Sequence, residues 1–464
     1  MPSDATTATA TPLRITIVGA GLGGLAAAVA LRQIGHIVQV FERTANKTEV
    51  GAALLLQPSA MRVLKHLGVQ EENLKGVYLR GASGQPLGST TTLTPFCAQM
   101  ISFDVLTGEE TEIRFMPDGE RVENQASFRC LRSMLSGMTI PQLVLACHRT
   151  DIYEELKRIA LHPDLGLPPV AMRFGCKVSS CSPEAGDVVL ESGETVHADL
   201  VLGADGIQSL IRTHVLGYVQ EAPPIGITCC RAVFKAPPTD VRFSGLEWFT
   251  EGTVGIRSIP WKGLPFRMIL CYPCRNGELI NSVHFFTETE EEKKDVSHPI
   301  STPTITAAEV RAKFADYDPK YHRLLDLPDH TGQIYRWRLR TVPALPTWCK
   351  GRTGILGDAA HATLPFLAQG AAMAIEDAGV LAGLLPLGTT REDIPARLAV
   401  WEGIRKPRAE YVNNMSIQQV DAIMAGKENE AHVREDTRTK LADYNAIAVG
   451  RQAYQDTFAG GRKV

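Results

Sequence analysis

Aromatic side chains are scarce, 6% of 464 residues, and cysteine is thin, with 10 in the whole chain. Cysteines so scattered exclude a disulfide-built scaffold. Their one close pair, Cys271 and Cys274, stands in Cys-Tyr-Pro-Cys at the end of an apolar run, Phe266–Tyr272. No second Cys-x-x-Cys completes a zinc site, and the pair does not open a helix as a redox motif does. Free thiols in a cytoplasmic protein are expected. Long apolar runs are also lacking: no stretch of about 18 residues is apolar enough to span a bilayer. The most apolar helix candidate, Leu22–Ile34, is too short and is bounded by glycines. Met1 to Leu13 has neither a basic n-region nor an apolar h-region, so residues 1–12 are expected as a disordered tail. Charge of one sign is missing too. The 48 basic and 51 acidic side chains leave a net charge of -3, and without a basic run nucleic acid is excluded as the main partner.

What is present is an ordinary globular balance, 44% hydrophobic and 21% charged, which excludes a disordered or collagen-like chain. Length suggests about three domain-sized units, or two if units share one large ligand. The first motif stands at the start. Arg14–Val18 is β-branched, Gly19-Ala20-Gly21-Leu22-Gly23-Gly24 follows, then an Ala/Leu helix, then a second β-branched run, Ile37–Phe41, ending at Glu42. This strand–turn–helix–strand order is the context a dinucleotide-binding glycine fingerprint requires. Gly19 allows the sharp turn, Gly21 lets backbone approach a pyrophosphate, and Gly24 lets helix and strand pack closely. The helix N-terminus then offers free N–H groups to phosphate, and Glu42 stands where a carboxylate accepts hydrogen bonds from a ribose diol. That acid suits NAD and FAD equally.

Two more strands end in a glycine-acid turn. Val196–Leu202 leads into Gly203-Ala204-Asp205-Gly206, and Thr353–Leu356 leads into Gly357-Asp358-Ala359-Ala360-His361. Beyond the second comes Pro365-Phe366-Leu367-Ala368-Gln369-Gly370-Ala371-Ala372 and an Ala-rich helix. In this order the three motifs resemble the single-component FAD-dependent aromatic hydroxylases of the para-hydroxybenzoate and salicylate hydroxylase superfamily. His148-Arg149-Thr150-Asp151-Ile152 matches that family's His-Arg-x-Asp-Leu segment, and Pro-x-x-Ala-Gln-Gly is most similar to the salicylate hydroxylase branch. The resemblance covers roughly residues 13 to 415. It implies an α/β fold: a doubly wound Rossmann-like FAD-binding domain, an inserted antiparallel β-sheet substrate domain and C-terminal helices. The expected limits are 13–80, 143–220 and 338–390 for the FAD-binding domain. The substrate domain takes 81–142 and 221–337, and the helical region 391–464.

The roles the residues suggest agree with that picture. Asp358 ends a strand where its carboxylate can bond a ribityl hydroxyl. Gly370 and Ala371 start a helix whose N–H groups can meet the pyrimidine edge of an isoalloxazine and stabilise its reduced, anionic form. Arg149 binds the ribityl chain or the pyrophosphate if the resemblance holds, and otherwise is a surface arginine at a helix start. For Asp205, ligand contact and support of its own turn both stand. His361 is expected as a structural neighbour of the flavin loop. Ala53, after Gly51 and Ala52, lies where the family runs its chain past the flavin ring. The family more often has Gly-Ala-Gly there, so Ala53 narrows that space. Arg340-Thr341 is a second departure, since many relatives carry Asp-Arg.

No second glycine fingerprint follows a strand, which argues against flavoproteins with two dinucleotide domains. NADH or NADPH is then a transient co-substrate beside non-covalent FAD. The Trp-x-Trp-x-Ile-Pro segment of flavin halogenases is missing; Trp248, Trp261 and Trp337 do not form it. Thr228–Phe234, Leu246–Thr250, Phe266–Tyr272 and Ser282–Phe286 have strand patterns separated by Pro/Gly turns and predict an antiparallel sheet. In the resembled family such a sheet roofs the flavin. Arg231 is a charge in an apolar strand there, so it either anchors an acidic or phenolate substrate as a catalytic-site residue or pairs an acid at a sheet edge. Leu54 and Phe366 replace histidines that face the substrate in some relatives, which implies a less polar pocket. Residues 97–142 are expected as a lid or surface insertion of fungal type, and Trp401–Arg408 as a packing helix whose basic residues need no ligand.

The resemblance implies a monooxygenase that hydroxylates an aromatic, phenolic small molecule with NAD(P)H and O2 through a flavin hydroperoxide. An epoxidase or dearomatising oxygenase of a polyketide or terpenoid is the alternative on the same fold. A non-turnover FAD-binding scaffold is the alternative of another class. The sequence carries no signal for an oligomeric state.

Overall fold

The computed structural model describes residues 11–45, 52–78, 100–103, 106, 110–114, 144–162, 166–235, 256–260, 264–294, 301–326, 334–425 and 440–459. The chain opens with β1 (Arg14–Val18), α1 (Leu22–Ile34) and β2 (Ile37–Glu42). Residues Leu22 to Arg32 of α1 are all buried, because small Ala and Gly positions let the helix be covered on every side. It stops at Gly35, whose left-handed φ of 111° a side chain would resist. Next come β3 (Ala53–Leu56), α2 (Pro58–His66), β4 (Val77–Tyr78), β5 (Met100–Phe103) and β6 (Glu110–Arg114). β7 (Leu145–His148) runs directly into α3 (Arg149–Leu161), then β8 (Ala171–Phe174). Three short strands, β9 (Val178–Ser182), β10 (Asp187–Leu190) and β11 (Thr195–His197), precede β12 (Leu200–Gly203) and α4 (Leu210–Leu216).

The middle of the chain holds β13 (Pro224–Lys235), β14 (Ile256–Pro260), β15 (Arg267–Cys274), β16 (Leu279–Thr287), α5 (Glu290–Lys294), β17 (Ser301–Ile305), α6 (Ala307–Lys313), α7 (Pro319–Asp326) and β18 (Ile334–Arg340). Last come β19 (Cys349–Lys350), β20 (Thr353–Ile355), α8 (Asp358–His361), α9 (Gly370–Leu384), α10 (Ile394–Met424) and α11 (Ala446–Tyr454).

One sheet has the order β19-β20-β12-β1-β2-β8, and all its pairs but β19–β20 are parallel. α1 packs on β1 and β2, α4 packs on β12, β19 and β20, and α3 and α9 pack against α1, the layering of a doubly wound fold. Val196–Leu202 is not one strand. Ala198 N–H still reaches Gly186 O beside β10, whereas Asp199 N–H reaches Arg14 O beside β1, so the extended chain leaves one sheet and enters the other there. The second large sheet is β17-β18-β13-β16-β15-β14-β5-β6. It is antiparallel except for β14–β5, and that pair brings residues 100–103 onto the sheet from the earlier insertion. β18 carries this sheet past residue 337 to Arg340.

Alternation along β13 gives the second sheet two distinct faces. Cys230, Ala232 and Phe234 pack under α6 and α7 with Phe314, Tyr317 and Tyr321. Cys229 and Val233 face the other way, with Ala53, Phe285 and Leu364. Cys271 and Cys274, three positions apart on β15, therefore fall on opposite faces and are separate buried thiols. Leu246–Thr250, Trp248, Trp261, Gly51, residues 1–10 and most of 97–142 lie outside the described residues.

Candidate functional site

The carboxyl ends of β20, β12, β1 and β2 lie side by side, with Ile355 opposite Gly203, Gly203 opposite Val18, and Val18 opposite Phe41. The chain turns to β2 on one side of β1 and to β12 on the other, and ligands of doubly wound sheets bind at that crevice. The three glycines of the first turn differ in what their hydrogen replaces. A Cβ on Gly19, at φ +105°, would stand 2.3 Å from Ala204 O, and one on Gly24 would stand 2.1 Å from Gly19 O. Both are closed against the protein's own backbone. A Cβ on Gly21 would meet nothing within 4 Å, so that position is open at the N-terminus of α1. The protein gives no packing reason for glycine there; a close-approaching phosphate does.

Glu42 lies at the end of β2, nearly buried. Its Oε2 accepts the Ala20 N–H at 3.0 Å and its Oε1 accepts the Thr44 N–H at 3.0 Å. Asp205, at the end of β12, spends both oxygens on the start of α4. Oδ1 accepts from Ser209 Oγ at 2.5 Å, and Oδ2 accepts the N–H groups of Leu210 and Ile211 at 2.8 and 3.1 Å. Of its two readings, turn support is the one its hydrogen bonds express. Asp358 differs: it is exposed at the end of β20, and no protein partner answers its carboxylate among the described residues. Arg149 opens α3 with an exposed side chain, while its N–H donates to Ala52 O at 3.0 Å.

Gly370 and Ala371 are the first residues of α9, and the intrahelical ladder leaves such N–H groups unused. The loop before them turns through Ala368 at φ 51°, a left-handed conformation that a non-glycine residue rarely holds. The Oε1 of Gln369 is buried without a partner.

Beneath this loop is a charged brace that sequence reading only half anticipated. Asp377 Oδ2 accepts from Gly357 N–H at 3.0 Å and pairs with His361 Nε2 at 2.7 Å, and its Oδ1 pairs with Arg405 at 2.8 Å. Burial acts to raise the Asp377 carboxyl, but His361 and Arg405 outweigh it and hold it at about 2. Arg408 makes a two-point bond to Glu376 at 2.8 and 2.9 Å. The basic residues of 401–408 are thus answered inside the fold, as expected. The Thr341 hydroxyl lies 3.1 Å from Ala362 O and 3.0 Å from Asn413 Oδ1 and has one proton to give to either, while Thr363 donates its hydroxyl to Asn413 Oδ1. Arg340 caps Ala222 O at 2.9 Å. Asn413 gave no signal in the sequence, because a lone Asn on a helix is ordinarily solvated.

The inner face of the second sheet covers the segment that contains Ala53. Arg231 shares that face with Cys229 and Val233 and lies opposite Val283 and Tyr335. Its guanidinium carbon is 5.6 Å from the centre of the Trp337 ring. Its Nε is buried without a partner, and no carboxylate pairs with it among the described residues. The side chain as a whole keeps some exposure, so it borders a space. Phe366 of the loop meets the same face, 5.2 Å from Phe285 and 6.2 Å from Phe266 between ring centres. Leu54 is half-buried. The hairpin tip between β15 and β16 is tied down separately, by a two-point bond from Arg275 to Asp151 at 2.8 and 2.9 Å. Asp151 belongs to the His-Arg-x-Asp segment, yet its use as an inter-sheet anchor could not be read from it.

These features fit an FAD-sized group. An open glycine turn, helix N–H groups at two places and a carboxylate without a partner among the described residues follow the carboxyl ends of the parallel strands, and Phe366 of the loop meets the apolar sheet face that carries Arg231. The sequence profile of the FAD binding domain family matches residues 13–115 and 178–416. A hispidin-3-hydroxylase of Neonothopanus nambi is 35% identical over 418 residues, covering 88% of this chain and 88% of the relative. A salicylate hydroxylase of Pseudomonas putida is 30% identical over 429 residues, covering 87% and 84%. Among solved structures, CtdE in complex with FAD and substrate 4 superposes with a TM-score of 0.75 at 21% identity, covering 96% of this chain and 98% of that one. A salicylate hydroxylase substrate complex gives 0.65 at 23% identity, covering 95% and 98%. With this fold, this site and these relatives, the chain belongs to the FAD binding domain family and is an FAD-dependent monooxygenase of the salicylate hydroxylase-like kind.

Proposed function

We propose that the enzyme uses NADH or NADPH and O2 to hydroxylate an aromatic, phenolic small molecule. The single observation that carries the substrate class is Arg231, a permanent cation on an apolar face with no acid answering it among the described residues. Leaving such a charge unpaired is costly, and an anionic or hydroxylated ring removes the cost. Two relatives bear the names of hydroxylases, of hispidin and of salicylate, which supports hydroxylation over epoxidation.

In this reading FAD lies along the carboxyl edge of the parallel sheet. Gly19 and Gly24 shape the turn, Gly21 admits the pyrophosphate, and Glu42 meets the adenosine ribose. Arg149 and Asp358 hold the ribityl chain and phosphates, while Asp205 keeps α4 and its turn in place. Ala53 borders the ring on one side, and the N–H groups of Gly370 and Ala371 meet its pyrimidine edge. Bound FAD supplies the electron transfer and oxygen activation. The protein's part is to hold the substrate ring under Arg231 and to keep water out with Phe285, Phe366 and Leu54. Burial pushes the Tyr272 phenol well above its usual range, so Tyr272 stays a proton donor and is not the base. Free thiols throughout the described residues accord with a reducing, cytoplasmic setting. Among those residues no helix is long and apolar enough to cross a membrane.

The test is a panel of phenolic acids and polyketide phenols, scored for accelerated NADH and NADPH oxidation with product mass and NMR. Hydroxylated product in step with cofactor oxidation is expected. An epoxide, or no stimulation by any phenol, overturns the substrate class.

A further inference from the structure

Ala53 begins β3, the edge strand of a small sheet ordered β3-β7-β4. Its partner on β7 is His148, and among the described residues no strand lies along the other edge of β3. An edge strand presents N–H and C=O groups that must find partners if they are buried, and Ala53 is 2% exposed. Both its groups are answered by side chains of the second sheet. Ala53 N–H donates to Asn281 Oδ1 at 3.2 Å, and Tyr272 Oη donates to Ala53 O at 3.0 Å. Tyr272 and Asn281 stand directly opposite each other on β15 and β16, so one cross-strand pair holds the backbone of one residue from both sides, through the peptide before it and the peptide after it.

The grip has an observable cost. Asn281 is fully buried, and its Nδ2 has no hydrogen-bond partner. An apolar residue would avoid burying that unanswered donor. The amide is kept for its oxygen, and an N–H donor at Ala53 leaves no doubt which end of the amide faces it. The peptide that carries the Ala53 N–H is held at its other end as well, because Ala52 O accepts the Arg149 N–H. The same pair sits beside Arg231: Asn281 lies directly opposite Val233 on β13 and so diagonally from Arg231.

We infer that Tyr272 and Asn281 are positioning residues that set Ala53 against the flavin ring and fix its distance from the substrate face. This rests on the proposed placement of FAD beside Ala53. In this reading the two residues act through the Ala53 backbone. Because they belong to the substrate sheet, they make the ring's flank and the Arg231 face one rigid unit, which is what aligned oxygen transfer demands.

Tyr272→Phe, Asn281→Ala, Arg275→Met and Asp358→Ala are compared with the wild-type chain. FAD dissociation constants are measured by flavin fluorescence, together with the absorption spectrum and midpoint potential of bound FAD and the melting temperature of the apoprotein. Tyr272→Phe keeps ring and volume, so it tests the inference even if Asn281→Ala does not fold. The expected result is about a tenfold weaker FAD affinity, with an altered flavin spectrum and potential, in Tyr272→Phe and Asn281→Ala. Arg275→Met, which cuts only the hairpin-tip anchor, lowers the melting temperature and leaves spectrum and potential as in wild type. Unchanged FAD affinity, spectrum and potential in Tyr272→Phe overturns the inference if Asp358→Ala does weaken FAD. If Asp358→Ala also leaves FAD unaffected, the placement of FAD has failed, and the inference falls with it.

Discussion

The carboxylate of Glu42 accepts the backbone N–H of Ala20 at 3.0 Å. The acid that ends the second strand thus braces the glycine turn that follows the first. One oxygen is committed to the turn and the other to Thr44, so a ribose diol must share lone pairs with the protein, which a carboxylate's four acceptor sites allow. Glu42→Ala removes both functions and is expected to weaken FAD by about 1.5–3 kcal/mol, roughly tenfold to a hundredfold in dissociation constant. Glu42→Gln keeps one oxygen for Ala20 and should lose less. Fluorescence titration of the two variants checks the order, and an unchanged affinity in Glu42→Ala would remove Glu42 from the ribose.

Gly21 and Gly24 should separate folding from binding. Gly21→Val meets open space at an ordinary extended backbone, so its melting temperature should stay near wild type while FAD binding is lost. Gly24→Val drives a side chain into Gly19 O and should destabilise the apoprotein by several kcal/mol, on the order of the largest single-site effects. Thermal unfolding without FAD, followed by reconstitution, reads both. A Gly21→Val protein that binds FAD normally would end the pyrophosphate assignment.

Asp205→Ala takes the acceptor from the Ser209 hydroxyl and from the N–H groups of Leu210 and Ile211 at the start of α4, leaving only Ser209 Oγ as the cap, on the Arg212 N–H. The expected cost is about 1–2 kcal/mol of stability. FAD affinity should fall less than in Glu42→Ala. Urea unfolding of the apoprotein beside an FAD titration distinguishes this from direct contact, in which affinity falls and stability does not.

Arg231→Ala should keep FAD bound yet impair substrate-stimulated flavin reduction and raise peroxide release, because the ring loses its anchor while the cofactor's oxygen chemistry persists. Loss of a charge-assisted bond of about 1.5–3 kcal/mol corresponds to roughly a tenfold to hundredfold rise in KM. Stopped-flow reduction with and without substrate, with a peroxide assay, measures it. Wild-type coupling in the folded variant would make Arg231 a packing residue.

Acid should weaken the fold through buried imidazoles. Burial pushes His284 down to about 3, and burial also lowers His36 against the opposing effect of its bond to Leu385. Below an unfolded value of about 6.5 the unfolded chain takes up these protons and the folded chain does not. Stability is therefore fully present above pH ~6.5 and falls as pH drops from there toward the folded values. At pH 5 the His284 contribution is about 2 kcal/mol. Urea midpoints at pH 7.5 and pH 5 should differ, and the difference should shrink in His284→Gln. An equal difference in wild type and variant would exclude His284 as a source.

The amino-acid sequence by itself determined the β1–α1–β2 unit, the three strand-ending turns at Gly19, Ala204 and Gly357, and the membership they imply. Those features are local: β-branched runs, glycine where backbones touch and an Ala-rich helix are written within a few residues of one another. It also placed Trp401–Arg408 in packing, and Arg405 and Arg408 do meet Asp377 and Glu376. Only the tertiary structure decided how the polar groups are used. Asp205 turned out to cap its own helix. Val196–Leu202 divides between two sheets because Asp199 finds Arg14. Thr341 meets Asn413, and Asp151 at the start of α3 meets Arg275 of the β15–β16 hairpin. Ala53 is held by Asn281 and Tyr272, more than two hundred positions away. A hydrogen bond depends on which two groups are brought within about 3 Å, and for partners so far apart in the chain that distance is set by the packing of whole sheets, which no local pattern of residues records.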